Sequence, residues 1–174
     1  MIRVLFIAGV TLIFALVASA QPSNPPSNFS GFVEQQWLLG KKKKVLQLAE
    51  NRLQKNLIDL ASLLVTLDYS VEFMDLDRMR VVIPKIKAVS TTISSPNFER
   101  QKNLLSGSLE IFEQLLPTVT PEMAQAEAHK GLIKNKPLSS LVFIQALEAD
   151  GLVLPITRQE RTLFEGKDVT PAEP

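Results

Sequence analysis

From Leu46 to Met74 the chain repeats apolar residues at intervals of three and four: Leu46, Ala49, Leu53, Leu57, Leu60, Leu64, Leu67, Val71 and Met74. An α-helix turns once in about 3.6 residues, so this rhythm puts them all on one stripe that must be buried. The pattern predicts one continuous helix over 45–74, about 45 Å long at 1.5 Å per residue. Between Leu57 and Leu67 only Asp59, Ser62 and Thr66 are polar, and they share a narrow stripe of their own. Such a helix needs cover on most sides, which a bundle supplies. The fold class expected is all-α, a bundle of about four to six helices around this long central one.

Turn and cap residues divide the rest of the chain. Asp75-Leu76-Asp77 can cap a second helix with Met79, Val82, Ile83, Ile86, Val89 and Ile93 on its apolar face. Pro84 leaves two starts open: near Asp77, which makes the proline interior and kinks the helix, or nearer Ile83. Ser95-Pro96 reads as N-cap and first position of a third helix, with Phe98, Leu105, Leu109, Phe112 and Leu116 facing inward and Pro117 ending it. Thr120-Pro121-Glu122 starts a short Ala-rich helix that Gly131 stops. Over 138–149, Ala146-Leu147-Glu148-Ala149 favours helix with Gly151 as its left-handed stop. Asp150-Gly151 also leaves open a hairpin joining Val142–Leu147 to Leu152–Ile156. Thr157-x-x-Glu160 is a capping box opening a last short helix before Gly166. The expected core includes Leu53, Leu57, Leu60, Leu64, Leu67, Val82, Ile86, Leu105, Leu109 and Phe112.

The first residues read differently. Arg3, an apolar run from Val4 to Val17, and Ala18-Ser19-Ala20 make up a removable signal peptide over 1–20. The run is shorter than the roughly 20 residues of a membrane-spanning helix, and an uncleaved anchor is the alternative. A secreted protein, periplasmic if bacterial, is expected. Residues 21–30, with Pro22, Pro25 and Pro26, read as an extended linker, 31–166 as the helical domain and 167–174 as a disordered tail.

Composition then narrows the chemistry. The 174 residues contain no cysteine, so disulfides, thiolate metal sites and cysteine nucleophiles are excluded. A formal net charge of +1 gives no global attraction to nucleic acid. Leu147-Glu148-Ala149-Asp150-Gly151-Leu152-Val153 resembles the end of a winged-helix recognition helix. The preceding Leu141, Val142, Phe143 and Ile144 offer no cation to phosphates or base edges, so no nucleic-acid partner is expected. Leu109–Glu122 is similar to a stretch of the Turandot family of secreted insect stress-response proteins, over helix, proline and cap alone, and nothing further is carried over from it.

Candidate sites are few. His129 is the single histidine and has no metal-ligand spacing around it. No glycine-rich phosphate loop and no G-x-S-x-G elbow is present, so no catalytic, metal or cofactor residue is expected. The run Lys41, Lys42, Lys43 and Lys44 follows Phe32, Val33, Trp37, Leu38 and Leu39. It reads as a solvated turn, as a contact patch for anionic lipid or an acidic partner, or, with Gly40, as a processing signal. Asp68, Glu72, Asp75 and Asp77 make an acidic cluster, read as a solvated face or as a cation or basic-partner patch. Asn28-Phe29-Ser30 is a glycosylation sequon. The function expected is non-enzymatic binding of a protein partner or an apolar small molecule. The alternatives are a precursor cut at Lys41–Lys44, releasing an amidated peptide, and peripheral membrane association through 32–44. A hydrolase using Glu148 and Asp150 is a further alternative, disfavoured because residues two apart on a helix diverge.

Overall fold

The computed structural model describes residues 26–120, 122–123 and 137–165. The stretches read above as a signal peptide, as most of the linker, as most of the Ala-rich helix with His129, and as the tail lie outside the described residues. Among the described residues all regular structure is helical, in seven α-helices: α1 (Phe29–Leu38), α2 (Lys42–Lys55), α3 (Leu60–Glu72), α4 (Leu76–Thr92), α5 (Pro96–Leu115), α6 (Leu141–Ala149) and α7 (Arg158–Glu165). A 3-10 turn, Leu116–Thr118, extends α5.

The predicted long helix is two helices. Asn56 ends α2 in an extended conformation, and Asp59 opens α3 by accepting from the Ser62 backbone N–H at 3.3 Å. Both residues compete with helical hydrogen bonding through their side chains, so the stripe of leucines runs on while the backbone breaks. Leu57, expected in the core, stands in the break and is 75% exposed. Leu53 and Phe112 are only partly buried, whereas Leu60, Leu64, Leu67, Val82, Ile86, Leu105 and Leu109 are buried as expected.

The central element is therefore α3 alone, which packs on α2, α4 and α6. Its narrow polar stripe closes on itself: Thr66 donates to the Ser62 carbonyl at 2.8 Å and Ser70 to the Thr66 carbonyl at 2.7 Å. That satisfaction is what allows Ser62, Thr66 and Ser70 to be buried with the leucines. α4 starts after Asp75, which caps it through the Arg78 N–H at 3.0 Å, so Pro84 is interior to α4. Pro84 is exposed. On the solvent side water can satisfy the carbonyl that the proline leaves without a donor. α5 begins at Pro96 after Ser95, and residues 141–149 form a helix stopped by Gly151 at φ +70°, so the hairpin does not occur.

One element was not anticipated. α1 begins at Phe29, inside the stretch read as linker, and buries Phe29, Phe32, Val33, Gln36 and Trp37. Those positions follow the i, i+3, i+4, i+7, i+8 pattern of a buried helical face.

Candidate functional site

The side chains with the most chemical potential are held at helix ends. Asp68 of α3 accepts from both the N–H and the hydroxyl of Ser140, at the entry to α6. Glu148, near the end of α6, accepts from the Ser30 N–H at 2.9 Å, from the Ser30 hydroxyl, and from Asn28 at 3.3 Å, at the start of α1. Asp150 accepts from the N–H groups of Asn97 and Phe98 at 2.9 and 3.1 Å, at the start of α5. The first N–H groups of a helix have no partner within it, and a carboxylate there answers both the missing acceptor and the dipole. Glu148 and Asp150 thus diverge, as expected, and each caps a different helix.

These placements set the ionisation. Burial pushes the Asp68 carboxyl up to about 6, against the opposing pull of the Ser140 hydroxyl and N–H, and the nearby Glu72 charge adds to the rise. The Ser95 hydroxyl beside Asp150, with the N–H groups at the start of α5, holds that carboxyl below its usual range.

The acidic cluster is dispersed. Asp68 faces Ser140, Glu72 pairs with Lys42, Asp75 caps α4, and Asp77 pairs with Arg80 at 2.9 Å. Among the described residues no group of three or more His, Asp or Glu side chains is placed to hold a metal ion.

The basic and aromatic patch is also taken apart. Phe32 and Trp37 lie in the core, Phe32 edge-on to Phe164 with ring centroids 5.1 Å apart. Lys42 is buried, its ammonium 5.2 Å from the Trp37 ring centroid and paired with Glu72. Lys41 donates to the Phe164 carbonyl at 3.3 Å. Of the patch, Leu38, Leu39 and Lys43 are exposed and Lys44 is partly so. The contact surface drawn from Phe32 through Lys44 is corrected accordingly: its aromatics are core residues of α1, because the helical spacing that groups them points them inward. No helix among the described residues is long and apolar enough to cross a membrane. Asn28 is exposed, with its amide donating to the Ser30 hydroxyl at 3.0 Å.

A groove forms where sequence reasoning named no candidate site. The break between α2 and α3 faces the extended segment after α6 across a groove of about 350 Å³. Leu60, Ala61 and Leu147 are buried beneath it, while Ile58, Leu152 and Leu154 line it at 67%, 51% and 76% exposure. Leu57 lies next to Ile58 in the same break. Arg52 fixes the geometry. Its guanidinium binds Glu160 through two nitrogens at 2.7 and 2.9 Å, and donates to the carbonyls of Leu154 and Pro155 at 2.9 and 3.0 Å. It also lies 4.4 Å from the Phe29 ring centroid. Burial works against ionisation of Glu160, and the Arg52 guanidinium overcomes it, holding the carboxyl below its ordinary range. The expected capping box supports the far side: Glu160 accepts from the Thr157 N–H at 2.9 Å and Thr157 from the Glu160 N–H at 3.2 Å. Extended backbone and exposed aliphatics are thus held by a buried, bidentate ion pair. In comparisons with protein-family models, with curated proteins and with solved structures, nothing matches the chain.

Proposed function

We propose that this chain is an exported protein that works by binding another protein, through the groove between the α2–α3 break and residues 152–157. The observation that carries the reading is the gathering of Ile58, Leu152 and Leu154, exposed and aliphatic, around one groove whose backbone Arg52 fixes. Single exposed leucines are ordinary, whereas a clustered set on a fixed frame has the character of an interaction surface. A protein partner fits better than an enclosed apolar ligand, because Ile58 and Leu154 are 67% and 76% exposed and a small molecule would leave much of that surface wet. Release of a peptide ending at Leu39 would withdraw Phe29, Phe32, Val33 and Trp37 from the core, so binding by the intact domain is preferred.

Native mass spectrometry of the protein recovered from the cells that make it tests this reading. The expected result is a stoichiometric protein partner that is lost in Leu154→Asp, with unfolding unchanged because the side chain is exposed. A clean monomer mass, a stoichiometric lipid, or a partner retained by Leu154→Asp would overturn it.

A further inference from the structure

We infer that α5 pairs antiparallel with α5 of a second copy of this chain; the pairing uses a different face of the molecule from the groove and does not depend on it. α5 buries Phe98, Leu105 and Leu109 and carries a second apolar stripe on its outer side. Leu104, Ile111 and Leu115 are each more than half exposed, and their spacing keeps them within about 40° of one another around the helix. Gly107 lies between Leu104 and Ile111 on the same side, and nothing stands within 4 Å of the place its side chain would fill. A glycine there costs helix stability relative to alanine and makes room for nothing within this chain. The face is thus a set of aliphatic ridges around a notch. Its open charges lie at opposite ends. Arg100 is exposed and bonds only within its own first turn, to the Pro96 carbonyl at 3.3 Å and the Asn97 side chain. Glu110 is exposed and forms no hydrogen bond or ion pair with another described residue. The neighbouring charges are taken: Lys102 by Glu99 and the Ile93 carbonyl, Glu113 by Lys87 at 2.7 Å.

Such a face is its own complement when reversed. With two copies of α5 aligned in opposite directions over the full length Pro96–Leu115, Leu104 falls opposite Gly107 of the second copy, Ile111 opposite Arg100, and Leu115 opposite Pro96. A leucine then enters each notch, and Ile111 lies on the aliphatic stem of Arg100. The Arg100 guanidinium comes beside Glu110 of the second copy, the one open anion of the face. A two-fold axis makes every one of these contacts twice. A parallel pair would instead set Arg100 on Arg100 and Glu110 on Glu110. The shape and the charge that fill this face are therefore its own, which commits it to a second copy of the chain.

Sedimentation equilibrium of the purified protein over roughly 1–200 µM tests the pairing, the range in which a small helix-pair interface associates. A monomer–dimer equilibrium is expected. Gly107→Leu should weaken it about tenfold or more while thermal melts stay level or rise, since leucine favours the helix and its side chain meets open space in the monomer. Arg100→Glu and Glu110→Arg should each weaken it about tenfold, and the double variant should restore it. A monomer at every concentration, or a dimer indifferent to Gly107→Leu and to the charge exchange, would overturn the pairing. So would a lowered melt of Gly107→Leu with no dimer in the wild type, which would mean that the chain covers this stripe itself. A dimer lost in Leu154→Asp and kept in Gly107→Leu would place the second copy in the groove, overturning the α5 pairing while leaving the groove reading standing. Loss of a groove partner in Leu154→Asp with the α5 dimer retained is the expected result, so the two readings fail separately.

Discussion

Arg52 is buried and charged at once, which is tolerable only because four of its donor contacts are filled. Removing it would strand Glu160 and two carbonyls, so Arg52→Ala should lower the unfolding free energy by about 3 kcal/mol in urea titrations. Arg52→Lys keeps the charge but not the planar fork, and should recover less than half of that loss. Asp68 behaves differently because it faces neutral donors. Its folded value of about 6 lies above the ordinary carboxylate value of about 3.9, so folding disfavours its ionised form. That contribution to stability is fully present below about pH 4 and is lost as pH rises through 6, on the order of 3 kcal/mol in all. Asp68→Asn retains an acceptor for the Ser140 N–H and should flatten this part of the pH profile. Equal profiles for the two proteins, measured by thermal melts from pH 4 to 7, would remove Asp68 as the cause.

Among the elements, the break between α2 and α3 separates residues that a single stripe would treat alike. Leu57 is exposed and Leu64 is buried, so Leu57→Ser should change stability by less than about 0.5 kcal/mol and Leu64→Ala should cost about 2–5 kcal/mol. Similar losses at both positions in urea titrations would mean that the helix is continuous after all. The stripes of α3, α4 and α5 and the capping box at Thr157 were legible because local physics decides them, whereas the start of α4 was left open between Asp77 and Ile83, and α5, though begun at Ser95-Pro96 as expected, takes its cap from distant Asp150 and not from Ser95. The break was not legible, since Asn56 and Asp59 are also acceptable on a helix surface and the leucines on either side kept their rhythm. α1 was legible in its spacing, yet the lysines after it drew Phe32 and Trp37 into a surface reading. The groove could not be read at all. It joins Ile58 to Leu152 and Leu154, residues far apart in sequence, and the carbonyls bound by Arg52 help to bring them together.

At the scale of the molecule, α6 ties the bundle together. It receives a cap from Asp68 on α3 and supplies caps to α1 and α5 through Glu148 and Asp150. Glu148→Ala should therefore loosen α1 from a distance, costing about 1–2 kcal/mol and speeding amide exchange in Phe32–Trp37 more than in α4. Unchanged exchange in α1 would show that packing alone holds it. The export reading predicts that protein collected from culture medium begins at Gln21 on N-terminal sequencing, and material retained inside cells with Met1 intact would contradict it.

The first and last described helices are joined directly. Arg161 donates to the Pro26 carbonyl at 2.7 Å, Ile156 N–H to the Ser27 carbonyl at 3.1 Å, and the Phe32 and Phe164 rings meet. α1 also rests on its neighbour in sequence: Arg52 of α2 lies 4.4 Å from the Phe29 ring centroid and the Lys42 ammonium 5.2 Å from that of Trp37, so the contacts with Arg161 and Phe164 complete a cover that α2 begins. Removing α7 would uncover Phe32 as well as Phe164, so damage at one end of the fold is felt at the other.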